Sequence, residues 1–75
     1  MARALEPATI LVNGVREPLS QQTTLADLLA EKAIDGGQRG IAVAWNGAVV
    51  PRTAWAMTPL KPGDSVEIVH AKQGG

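Results

Sequence analysis

Val43-Ala44-Trp45-Asn46-Gly47-Ala48-Val49-Val50-Pro51-Arg52-Thr53-Ala54-Trp55 is the stretch that decides the fold. Together with Ile41 and Ala42 before it, it opens as a strand. Alternation puts Ile41, Val43 and Trp45 on one face and Ala42 and Ala44 on the other. Asn46-Gly47 is a two-residue hairpin signal, because both residue types tolerate positive φ. Ala48-Val49-Val50 then reads as a short return strand that Pro51 stops, and Arg52 to Ala56 as one helical turn.

Working back towards the N-terminus, Leu25, Leu28, Leu29 and Ala33 recur at helical spacing. Thr24-Leu25-Ala26-Asp27 has the form of a capping box with Asp where Glu or Gln is usual. The helix is predicted from about Leu25 to Ala33 and is expected to end at Gly36-Gly37. Before it, Thr9-Ile10-Leu11-Val12 is β-branched and apolar, Asn13-Gly14 is a second hairpin signal, and Val15 to Leu19 is the return strand. Pro18 cannot donate to a ladder, which places that strand at an edge. Towards the C-terminus, Lys61-Pro62-Gly63-Asp64 is a turn. Ser65 to His70 is the last strand, with Val66 and Ile68 on one face and Glu67 and Val69 on the other.

These elements predict one α+β domain over residues 8–70. A ragged lead-in, residues 1–7, precedes it, and a flexible tail, residues 71–75, follows it. The first and last strands are expected to be central and parallel in a mixed sheet of four to five strands. One main helix covers one sheet face, and the other face is left partly bare.

The chain has 75 residues, so a single small core and no enzyme-sized pocket are expected. It has no cysteine and one histidine, which leaves no disulfide, thiolate or imidazole-rich metal site. Seven basic residues balance seven acidic ones, so no basic surface for nucleic acid is expected. No apolar run approaches membrane-spanning length and no signal peptide is visible, which points to a cytoplasmic protein.

The pattern resembles the ThiS family of β-grasp, ubiquitin-like sulfur carriers of thiamin (thiazole) biosynthesis. The residues that carry the resemblance are Asn13-Gly14, Thr24 to Leu29, Val43 to Gly47, Val50-Pro51-Arg52 with Trp55, Gly63-Asp64, and the terminal Gly74-Gly75. The Pro-Arg-x-x-Trp segment is the discriminating piece. It favours this family over the small subunit of molybdopterin synthase and over ubiquitin-like protein modifiers, the alternatives that share the Gly-Gly end. Departures are the N-terminal extension, Trp45 in place of a smaller apolar residue, and Pro59. The resemblance implies a protein co-substrate rather than an enzyme, with no bound cofactor of its own. A ThiF-type activating enzyme uses ATP to adenylate the Gly75 carboxylate. A sulfur-donating protein then converts it to a thiocarboxylate, and a ThiG-type thiazole synthase receives the sulfur.

The residue types suit that chemistry. Glycine at positions 74 and 75 removes Cβ, so the backbone can enter a narrow slot and adopt dihedrals closed to other residues. Two glycines arising there by chance would be on the order of half a percent, so the pair gains its weight from the domain in front of it. Ala42, Ala44 and Val69 are the candidate partner surface on the open sheet face. Arg52 is a further candidate, against the plainer reading of a solvated arginine. Trp55 and Trp45 read as core or edge cover, His70 as a solvated side chain, and Asp64 as a turn residue. The free carrier is expected to be a monomer.

Overall fold

In the computed structural model, residues 8–19, 23–34 and 40–70 are described, and the statements below concern these. Five strands form one sheet in the order β2-β1-β5-β3-β4. They are β1 (Thr9–Val12), β2 (Val15–Pro18), β3 (Ile41–Trp45), β4 (Ala48–Val49) and β5 (Ser65–His70). β1 and β5 are parallel neighbours at the centre, and the remaining pairs are antiparallel. This is the mixed β-grasp arrangement expected from the element order, with the Pro18 strand at one edge.

Both Asn-Gly pairs make two-residue hairpins. Val12 pairs with Val15 and Trp45 with Ala48 across them. Asn13 and Asn46 sit at φ 52° and 51°, and Gly14 and Gly47 at 83° and 89°. Positive φ at both central residues is the type I′ geometry, whose twist matches that of the flanking strands.

The helix α1 spans Leu25–Glu31. Thr24 caps it: its Oγ1 accepts from the Asp27 N–H at 3.2 Å, and Asp27 Oδ2 accepts from the Thr24 N–H at 3.1 Å. The capping box therefore works with Asp in the third position. The helix ends earlier than the glycines suggest. Ala33 takes φ 61°, its N–H donates to the Ala30 carbonyl, and the Ile34 N–H donates to the Leu29 carbonyl at 2.8 Å. That is a Schellman closure with alanine in the left-handed position, where glycine is usual. Ile34 then packs against the core, the apolar contact that accompanies such closures. Gly36-Gly37 lies outside the described residues, as do the lead-in over 1–7 and the tail over 71–75.

After β4 the chain forms a 3-10 helix over Arg52–Met57, longer than the single turn expected. It packs on α1. The segment behind it is stitched to the helix entrance, where the Leu25 N–H donates to the Thr58 carbonyl and the Leu60 N–H to the Thr23 carbonyl, each at 2.9 Å. The core lies between sheet and helix. The sheet supplies Ile10, Val12, Val43, Val66 and Ile68, and the helix supplies Leu25, Leu28 and Leu29. Trp55 and Leu60 close its end. Each fully buried aliphatic side chain contributes about 1.5–3 kcal/mol, so Leu25 or Val66, both at 0% exposure, is a position where truncation threatens a domain this small. One ion pair, Lys32 Nζ to Glu17 at 2.9 Å, ties the helix end to the edge strand β2.

Candidate functional site

The sheet face away from α1 is where the candidate partner residues meet. Ala42 and Val69 are directly paired across β3 and β5, and Ala44 is paired with Val49 of β4. Val69 is 56% exposed and Val49 75%. Leu11, on the same face of β1, is 38% exposed. Glu67, paired with Ala44, sets one charge among these apolar residues. Ala42, Ala44 and Val69 thus form one patch, which Val49 extends at the β4 edge. Arg52 does not belong to it. It opens the 3-10 helix on the helix side of the sheet, with its guanidinium carbon 6.0 Å from the centroid of the Trp55 ring.

Trp55 explains the spacing of the Pro-Arg-x-x-Trp segment. The indole is 5% exposed and its Nε1 donates to the Val50 carbonyl at 2.9 Å. One turn of 3-10 helix returns the ring to the residue just before Pro51. Arg52 then lies over the ring in cation–π distance. The segment is a structural clasp between β4 and the core.

β5 leads directly to Gly74 and Gly75, the expected reactive end, which lie outside the described residues. Three side chains hold that strand, and none of these grips was foreseen. At its start, Asp64 is more than a turn residue. Its Oδ2 accepts from Trp45 Nε1 and from the Lys61 N–H, both at 2.9 Å, and its Oδ1 accepts from Asn46 Nδ2 at 3.1 Å. Burial alone would raise its pKa. The Lys61 backbone N–H, the Trp45 and Asn46 side chains and the Lys61 charge outweigh it, and the carboxyl sits below its ordinary value. Asn46 also accepts the Ser65 N–H on Oδ1 at 2.9 Å. Further along, Asn13 Oδ1 accepts the Ile68 N–H at 2.7 Å and Asn13 Nδ2 donates to the Ile68 carbonyl at 3.3 Å. The Asn-Gly signature announces the turns; it carries no sign of a carboxamide partner 55 residues away.

Among the described residues, no group of three or more His, Cys, Asp or Glu comes together as a metal site, and no helix is long and apolar enough to cross a membrane.

A family model, the ThiS family, matches residues 7–75. The chain belongs to the ThiS family. The match spans the whole described domain and runs through both terminal glycines. Solved relatives agree with it in fold. A crystal structure of the thiamine biosynthesis protein ThiS from Geobacter metallireducens superposes with a TM-score of 0.74 at 28% identity, covering 89% of this chain and 99% of that one. A solution NMR structure of a thiamine biosynthesis protein from the same organism gives a TM-score of 0.73 at 28% identity, covering 89% of this chain and 87% of that one. A thiazole synthase of Paramagnetospirillum magneticum (strain ATCC 700264 / AMB-1) is 33% identical over 66 residues. That alignment takes in 88% of this chain and 20% of the relative, so the ThiS-family chain spans about a fifth of that protein's length. This is the family that the sequence resemblance named.

Proposed function

We propose that this ThiS-family chain carries sulfur on the carboxyl group of Gly75 for thiazole formation, as a co-substrate of partner enzymes. A carboxylate oxygen of Gly75 attacks the α-phosphorus of ATP on a ThiF-type activating enzyme, and pyrophosphate leaves. Hydrosulfide supplied by a sulfur-donating protein then attacks the activated carbonyl carbon, AMP leaves with the electron pair, and the S–H proton is lost to solvent. The product is a thiocarboxylate whose sulfur passes to a thiazole synthase. The observation that carries this reading is the family match, which extends through Gly74-Gly75. The choice of thiazole synthase as recipient is supported by the P. magneticum relative, in which a segment similar to this chain forms part of a protein of that name. The open sheet face with Ala42, Ala44 and Val69 is the docking surface in this reading, because it is the exposed apolar patch of the sheet. ATP is bound by the activating enzyme.

Intact-mass measurement after incubation with ATP, a ThiF-type enzyme and a sulfur source tests the reading. The expected product gains the mass difference between oxygen and sulfur, localised to Gly75. Full thiazole-forming activity after removal of Gly74 and Gly75 would overturn it. Adducts linked by isopeptide bonds to lysine would indicate a protein modifier.

A further inference from the structure

The ladder between β1 and β5 continues past the end of β1, and a side chain continues it. The Leu11 N–H donates to the Asp64 carbonyl and the Asn13 N–H to the Val66 carbonyl, each at 2.9 Å. In a parallel ladder the next backbone carbonyl and N–H of β1 would serve Ile68. The chain has turned into the hairpin by then, and the Asn13 carboxamide serves Ile68 instead, accepting from its N–H and donating to its carbonyl. A planar carboxamide has the acceptor and donor of a peptide group, so it can stand in for one. Positive φ at Asn13 is part of the same device, because the residue turns the hairpin while its side chain caps the ladder.

Ile68 is two residues before His70, where β5 ends, and Gly75 follows five residues later. On its other side β5 is paired with β3 as far as Ile41 with His70. Without the Asn13 carboxamide, Ile68 loses its partner on the β1 side and the end of β5 from Ile68 onward is held by β3 alone.

We propose that Asn13 is a positioning residue for the chemistry at Gly75, fixing the point from which the C-terminal segment reaches into a partner's active site. The role rests on Gly75 being the reacting carboxylate. Five residues span at most roughly 17 Å when fully extended, and seven span roughly 24 Å. Releasing β5 back to Ile68 moves the last held residue two positions further from Gly75. With the −3/2 power dependence on linker length, the local concentration of Gly75 at a docked partner falls about 1.7-fold from reach alone.

Asn13→Gly tests this, since glycine keeps the positive φ of the turn and removes only the carboxamide. Hydrogen exchange at the Ile68 amide is expected to rise by about tenfold or more while that at Val66 stays protected. Adenylation by a ThiF-type enzyme, expressed per folded molecule, is expected to lose about 1.7-fold in kcat with KM little changed. Removing Ala71 and Lys72 shortens the segment by two residues. That change is expected to slow the wild type yet partly restore Asn13→Gly, a coupling that loss of stability does not produce. Unchanged kcat despite an unprotected Ile68 amide, continued protection of that amide, or strictly additive effects would each overturn the positioning role while leaving the Gly75 reading intact. A wild-type chain that forms no adenylate at Gly75 would sink that reading and this role with it.

Discussion

The Trp45 indole N–H and the Asp64 carboxylate meet at 2.9 Å, joining the end of β3 to the turn that launches β5. The same carboxylate takes up the Lys61 N–H and the Asn46 carboxamide. It thereby closes the Lys61–Asp64 turn, steadies the second hairpin and orients a half-buried tryptophan at once. Asp64→Asn keeps the shape but presents an NH2 group to at least one donor. The expected loss is about 1–2 kcal/mol, read as a lower urea midpoint with an unchanged m-value. An unchanged midpoint would mean that water replaces these bonds without cost.

The same group predicts an acid dependence. The folded pKa of Asp64 lies below its ordinary 3.8, so the folded state holds the ionised form more favourably than the unfolded chain does. Its contribution to stability is present above that ordinary value and is lost as pH falls through the lower folded one. The stability gap between wild type and Asp64→Asn is expected to be full at about pH 6 and to narrow below about pH 3.8. Urea titrations of both proteins across that range check it. A gap that widens on acidification would contradict the assigned direction.

Alanine in the left-handed position of the α1 closure gives a stabilising substitution. Ala33 holds φ 61° with both Schellman hydrogen bonds in place. An L-residue in that region bears a penalty of about 1–2 kcal/mol, partly offset because glycine gains more freedom in the unfolded chain. Ala33→Gly is expected to stabilise by about 0.5–1 kcal/mol. Thermal unfolding checks it. A lower Tm would show that the alanine methyl makes a contact worth more than its strain.

Trp55 carries the structural weight of the Pro-Arg-x-x-Trp segment, and Arg52 much less. Trp55→Phe keeps an aromatic ring in the core but leaves the Val50 carbonyl without its indole donor. A loss of about 1–3 kcal/mol is expected from the unpaired carbonyl and the lost volume. Arg52→Ala is expected to cost under about 1 kcal/mol, the range of an exposed cation–π contact. Chemical denaturation of both variants separates the two roles. Equal losses would mean that Arg52 is as much a part of the clasp as the tryptophan.

Local signals made most of this fold legible, and distant partners account for what they missed. Asn13-Gly14, Asn46-Gly47, Pro18 and the Thr24–Asp27 box each act within a few residues, so the sequence states their effect directly. The helix end falls within two residues of the expected Ala33, and what propensity did not show is that Ala33 itself takes the left-handed position, ahead of the glycines at 36 and 37, with Ile34 packed on the core. Asp64 and Asn13 read as turn residues for the same reason that they are good ones. Their short polar side chains have partners that only the folded sheet brings near. The candidate face was readable from strand alternation alone, because period two assigns Ala42, Ala44 and Val69 to one side once β3 and β5 are placed.

That face yields a prediction in which stability and docking separate. Val69 is 56% exposed and paired with Ala42, so its side chain supports little of the core. Val69→Lys is expected to shift stability by under about 0.5 kcal/mol. On a docking surface the same lysine becomes a buried charge, only partly offset by Glu67 on the same face of β5. Such a burial disfavours the complex by several kcal/mol at most and about 1–3 kcal/mol after relaxation. The adenylation KM is expected to rise about tenfold or more, because each 1.4 kcal/mol of lost binding is tenfold. kcat at saturation is expected to hold, since Gly75 is untouched. Val49→Lys, on the β4 edge of the same patch, is expected to give a smaller effect of the same kind. A Val69→Lys chain that is adenylated with normal KM would remove the open sheet face as the docking surface and turn attention to the exposed end of the 3-10 helix, where Met57 is 73% exposed.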